Sequence, residues 1–151
     1  MKRCLPPECH VTRIENRHGG GVPDVYIQHG GVAFWVELKV ANRARVNLRP
    51  EQVVWHLRES AAGGFSYVLV KCPHPPYLRA YLGSSAPLIA SQGLSGGEVA
   101  AEADTPAALM EALRADAKAR TLAALRPHAD GGPAAAPGPE EKAPDPEAGG
   151  K

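Results

Sequence analysis

The run Val32–Val40, VAFWVELKV, constrains the fold more than any other stretch of the chain. Alternate side chains of a strand face opposite ways, so Phe34, Val36, Leu38 and Val40 share one face and Trp35, Glu37 and Lys39 the other. Both faces are partly apolar. That is the pattern of a central strand, covered on one side and lining a cleft on the other, and it draws attention to two charges near its end.

Other elements gather round this strand. Residues 10–16, HVTRIEN, read as a first short strand ending near Asn16, and Arg17-His18-Gly19-Gly20-Gly21 as a turn. Pro23 to Gln28 reads as a second strand, with proline at its first position, and His29-Gly30-Gly31 as the hairpin turn into Val32. A polar loop, Asn42 to Arg49, leads to Pro50, which suits the first position of a helix running to about Ala62, before Gly63-Gly64. On a helical wheel Val53, Val54, Leu57 and Ala61 form the stripe expected to be buried, while Gln52, Trp55, His56 and Glu59 cluster elsewhere. Phe65–Lys71 is a fourth strand and Tyr77–Leu82 a fifth, giving a β-β-β-α-β order with the helix as a crossover and an α/β fold with a mixed sheet.

Composition divides the rest. Large apolar side chains lie mostly before Gly83, and the remainder of the chain is rich in Ala, Gly, Pro and Glu. The expected organisation is a folded domain over 1–83, a linker over 84–103, an accessory helix over 104–126 and a disordered tail over 127–151. That helix opens at Thr105-Pro106 and places Leu109, Met110, Leu113 and Ala117 on one face, while Leu122 and Leu125 lie away from it, so it reads as a docking or pairing arm. A domain of roughly 80 residues buries little of its surface, so a homodimer is expected.

Charge divides the chain in the same place. Residues 1–82 hold eleven Lys and Arg against six Asp and Glu, whereas residues 83–151 hold six against ten. A basic folded half suits an anionic partner, nucleic acid being the commonest, although ordinary solvated surfaces carry as much. Cys4, Cys9 and Cys72 form an odd number without framework or regular zinc spacing, and neither a signal peptide nor a run of eighteen apolar residues occurs. A reduced cytoplasmic setting and no membrane are expected.

Asp24 and Glu37 stand on neighbouring strands of the hairpin and can point into one cleft, where carboxylate oxygens suit Mg²⁺ or Mn²⁺. Lys39 is roughly 7 Å from Glu37 on the same strand face and can reach the same site, to orient water or neutralise phosphoryl oxygens. The Leu38 carbonyl is a further candidate ligand. Taken singly, Pro-Asp is a common turn pair and Glu-x-Lys a solvated face or weak ion pair. The combination of PD before an apolar strand, a hairpin, and ExK ending an aromatic strand is what favours a site.

That array, with thirteen residues from Asp24 to Glu37, resembles the PD-(D/E)xK nuclease superfamily. The fuller set Gly21-x-Pro23-Asp24, Trp35-x-Glu37-x-Lys39 and Leu48-x-x-x-Gln52-x-x-Trp55 is similar to its VRR-NUC branch, which includes small stand-alone phage-type nucleases; the likeness covers about residues 11–71. The resemblance implies a restriction-endonuclease-like αβββαβ core and metal-dependent hydrolysis of DNA phosphodiester bonds in a bacterial or phage-infected cell. It implies Asp24 and Glu37 as metal ligands, Lys39 as the catalytic lysine, and Gln52 beside it, a residue whose alternative reading is a polar first-turn position on an exposed face. Trp55 is expected to pack rather than stack on a base.

The family often supplies a further acid from a helix before the first strand, and MKRCLPPEC is short and broken by proline. Glu15 is the expected substitute, with Glu8 or a site of fewer acids as alternatives; Glu15 also reads as a strand-end partner of Arg13 or Arg17. Arg43, Arg45 and Arg49 come directly after the catalytic strand and suit phosphate contacts or simply a solvated loop, and His18 is a further phosphate candidate. The expected function is a DNA endonuclease, with branched or Holliday-junction DNA as substrate by analogy. The alternative is a catalytically inactive DNA-binding module of the same fold.

Overall fold

The computed structural model describes residues 7–15 and 20–125. Its centre is a six-stranded mixed sheet in the order β1(His10–Arg13), β2(Val25–His29), β3(Val32–Val40), β4(Ser66–Lys71), β5(Leu78–Leu82) and β6(Val99–Ala103). The first three strands are antiparallel neighbours, β3 and β4 run parallel, and β4, β5 and β6 are again antiparallel. The parallel step requires a crossover, supplied by α1(Pro50–Ala61). The β-β-β-α-β order read from the sequence is therefore present, and among the described residues no helix precedes β1.

Two apolar layers enclose the sheet. Val25, Ile27, Phe34, Val36, Tyr67 and Leu69 face α3(Pro106–Ala124) and bury Leu109, Met110, Leu113 and Ala117 against them. On the other face Val68, Val70 and Tyr81 pack with Val46, Leu48 and with Ala86 and Ile89 of α2(Ala86–Gln92). β4 is buried along almost its whole length, as a strand between two such layers must be.

Three expectations are corrected. Residues 84–103 are no linker: they form a 3₁₀ turn, α2, a second 3₁₀ turn and β6, the last closing the sheet beside β5. Their small side chains permit close approach. Gly93, at φ 67°, lies so near the Ala44 carbonyl that a Cβ would collide with it, and Leu94 donates a backbone hydrogen bond to that same oxygen at 2.8 Å. Second, the folded unit does not stop at Gly83, because α3 lies within the main core; it is a wall of the fold and no free arm. Third, α1 is turned the other way: Gln52 and His56 are buried while Val54 and Leu57 are 44% and 41% exposed. The face over the sheet has polar partners to meet, and buried polar groups are tolerated where they are hydrogen-bonded.

The tail 127–151 and His18 lie outside the described residues. Among those described, no helix is long and apolar enough to cross a membrane.

If α3 is a core element, Leu113→Ala should cost about 2–5 kcal/mol in denaturant melts, whereas Leu122→Ala, at an exposed position of the same helix, should change stability by less than about 0.5 kcal/mol. A chain ending at Gly83 should show no cooperative transition. Equal effects of the two substitutions would remove α3 from the core.

Candidate active site

The hairpin register brings the two carboxylates together. Val25 pairs with Val36, so Asp24, one residue earlier, stands opposite Glu37, and directly opposed residues of an antiparallel pair share a face. That face is the one under α1. Gly21, at φ 86°, helps deliver Asp24 there: it sits so close to the Glu51 carbonyl at the start of α1 that a Cβ would collide with it.

Glu37 is 1% exposed. Its Oε1 accepts from Gln52 Nε2 and lies 2.9 Å from Lys39 Nζ, while Oε2 is buried with no partner. Gln52 Oε1 accepts in turn from Lys39 Nζ at 2.9 Å and from the Arg49 backbone N–H at 3.0 Å, a bond that also caps α1. Asp24 Oδ2 accepts the Leu38 N–H at 2.9 Å. Glu37, Lys39 and Gln52 thus form one closed hydrogen-bonded ring, with Asp24 beside it and anchored to the same strand.

Burial pushes the Glu37 carboxyl up from its ordinary range, and the nearby charge of Asp24 adds to this. Its hydrogen bond and attraction to Lys39 work the other way without overcoming burial. A divalent cation at Oε2 would reverse that balance. The unpartnered oxygen, the facing Asp24 and the Leu38 carbonyl, which points to the same strand edge as its N–H, are an oxygen donor set that fits a hard cation.

The remaining expectations divide. Arg43, Arg45 and Arg49 are exposed, and Arg49 lies close enough to act on the Glu37 charge. Arg43 holds a positive φ of 56° in the turn closed by the Asn42–Arg45 bridge. Glu15 is not brought into the cluster. Ile14 donates its N–H to the Asp24 carbonyl at 2.8 Å, which puts Glu15 on the opposite face, where its exposed side chain lies 4.0 Å from Arg13. The exposed reading of Gln52 is excluded by its 3% exposure. Trp55 packs edge-on against Trp35 at 5.3 Å, and Trp35 against Tyr26 at 4.8 Å, so it does pack.

Sequence reasoning passed over His56. It is fully buried one turn beyond Gln52, with Nδ1 2.9 Å from Ser66 Oγ and Nε2 without a partner. Burial first, then the charge of Lys39, lowers its pKa to about 4, so the ring is neutral at pH 7. The i, i+4 spacing from Gln52 was the available signal.

No protein family matches the sequence, and no curated protein matches it. Among solved structures the chain is similar to Archaeoglobus fulgidus Hjc, a Holliday junction resolvase from an archaeal hyperthermophile, at 17% identity and a TM-score of 0.42. The likeness covers 52% of this chain and 66% of that one, just under two thirds of its length.

Stability against pH separates the two buried groups. The folded pKa of His56 lies below the ordinary 6.5, so its stabilising contribution is complete above pH 6.5 and is lost as pH falls towards 4, about 3 kcal/mol in all. Glu37 has the opposite sign: its folded value is raised, so its contribution is complete below the ordinary 4.5 and lost as pH rises through the raised value. His56→Gln should flatten the loss of Tm between pH 6.5 and 4, and Glu37→Gln should raise Tm at pH 8 while leaving it unchanged below 4.5. Thermal melts across this range check both signs.

Proposed function

We propose that the chain is a divalent-metal-dependent DNA endonuclease, with Asp24, Glu37 and the Leu38 carbonyl holding Mg²⁺ or Mn²⁺ and Lys39 and Gln52 completing the catalytic set. The observation that carries this reading is the buried, unpartnered Oε2 of Glu37, in a residue that stands opposite Asp24 in the hairpin register, with Lys39 and Gln52 both engaged on the other oxygen. An isolated structural ion pair has no need of a second acid pressed against it, since that acid only raises the cost of the buried charge.

The metal, when bound, supplies Lewis-acid stabilisation of phosphoryl charge and lowers the pKa of water. The chain's own residues do the positioning. Gln52, fixed between Glu37 and the Arg49 amide, holds the Lys39 ammonium at the cluster, where it serves as a donor to the attacking water or to a phosphoryl oxygen. Arg43, Arg45 and Arg49 at the exposed end of β3, with His18, contact flanking phosphates and position the strand without reading its sequence. Branched or Holliday-junction DNA is the proposed substrate, on the likeness of the motif array to the VRR-NUC branch, and a homodimer is the proposed assembly.

Glu15 standing away from the cluster favours a second reading, a DNA-binding module that has kept the fold with too few acids for catalysis. Cleavage assays on plasmid, flap and four-way-junction DNA with Mg²⁺ or Mn²⁺ distinguish the two. The nuclease reading expects cutting that chelator abolishes, a loss of about 100-fold or more in Lys39→Ala and comparable losses in Asp24→Asn and Glu37→Gln, with DNA binding largely kept. Binding with no cutting under any divalent ion would establish the module.

A further inference from the structure

The far end of the same hairpin carries a second group of ligating side chains. His29, read from sequence as the start of the hairpin turn, is 4% exposed at the end of β2. Its Nε2 donates to Glu111 Oε1 of α3 at 2.7 Å, and its Nδ1 is buried with no partner. Glu8, before β1, completes the group: ligand atoms of Glu8, His29 and Glu111 all lie within 4.8 Å of one another. Glu8 and His29 line one cavity of about 370 Å³, so the place is open to an ion from solvent.

From this arrangement we infer a structural binding site for a divalent transition-metal ion of the Zn²⁺ class, held by Glu8, His29 Nε2 and Glu111 and completed by water. One imidazole and two carboxylates suit such an ion better than Mg²⁺, which prefers oxygen ligands and keeps its waters. The ligands of a tetrahedral ion at about 2.0–2.1 Å stand roughly 3.3 Å apart. The His29–Glu111 bond must therefore open by a fraction of an ångström, the ring proton must move from Nε2 to Nδ1 so that the Nε2 lone pair is free for the ion, and Glu8 must swing inward. Both acids can move, because Glu8 is exposed and the Glu111 side chain is 46% exposed, while the imidazole is fixed in the core.

Ordinary ion pairing accounts for only part of the group. Arg114 Nε takes Glu111 Oε2 at 2.9 Å, leaving Oε1 to His29. Among the described salt bridges and side-chain hydrogen bonds, none neutralises Glu8. An ion there would tie the segment before β1, the β2–β3 turn and α3, three elements distant in sequence. It would lie about 16 Å along β2 from Asp24, on the opposite face of the sheet, so it does not depend on the nuclease reading.

The test uses the full chain carrying Asp24→Asn and Glu37→Gln, so that only the second site can respond, stripped with chelator and titrated with Zn²⁺ by calorimetry and thermal melts. The expected result is one Zn²⁺ per chain and a Tm that rises by several degrees. Adding Glu8→Gln and Glu111→Gln together should weaken binding at least tenfold and abolish the Tm rise. These two positions are chosen because a change at buried His29 risks the fold itself, and the far-ultraviolet spectrum verifies that the variant remains folded. Absence of saturable Zn²⁺ binding, or binding unchanged by the two glutamines, would overturn the site and leave His29–Glu111–Arg114 as a salt-bridge network alone.

Discussion

The carboxylate of Glu37 is the group to which the rest of the structure adjusts. It lies in a strand buried from both sides, where an uncompensated charge costs far more than an ordinary hydrogen bond returns. Lys39 and Gln52 offset that cost on one oxygen only. Gln52 must arrive from outside the sheet, so α1 has to present its polar side inward, and the helix consequently turns Val54 and Leu57 towards solvent. The orientation of the crossover helix is set by one buried acid.

His56 obeys the same constraint. Once Gln52 faces the sheet, the residue one turn on faces it too, and His56 meets Ser66 on β4. Its ring must stay neutral, because it is sealed from water and already feels Lys39. The polar layer beneath α1 thus holds a buried acid whose pKa burial raises and a buried base whose pKa burial lowers. Each is held in the core against its own desolvation by the hydrogen bonds it makes.

What could be read from the sequence was what has a strong period. β3 was legible over its observed length because nine residues alternate without interruption, and α1 because proline opens it and two glycines close it. The buried face of α3 was legible for the same reason, but its destination was not: Leu109, Met110 and Leu113 say that something is covered, not that Phe34 and Tyr67 cover it. α2 and β6 were missed because APLIASQ and VAAEA carry few large side chains, and a small residue at a close approach leaves no periodic trace. The inverted reading of α1 has a sharper cause. A wheel ranks faces by hydropathy, and this helix buries the face that its partners in the sheet can hydrogen-bond.

The vacated edge of β3 explains why the acids meet where they do. Pairing with β2 reaches Val25 and Val36 and then stops, so beyond it β3 has N–H and C=O groups on that side with no ladder partner. Asp24 caps this edge by accepting the Leu38 N–H through its carboxylate, as a neighbouring strand's carbonyl would have done. The Leu38 carbonyl on the same edge is left to find another partner, and Glu37, the residue before it, has a buried oxygen without one. The end of the ladder therefore leaves a main-chain acceptor next to a residue whose side chain also has an unpartnered oxygen. Only a pair beyond Asp24, between residues 23 and 38, could satisfy that carbonyl from the β2 side. Asp24 stands where that pairing would begin, and the Gly21-Val22-Pro23 approach, with proline lacking an N–H to extend the ladder, keeps the edge open.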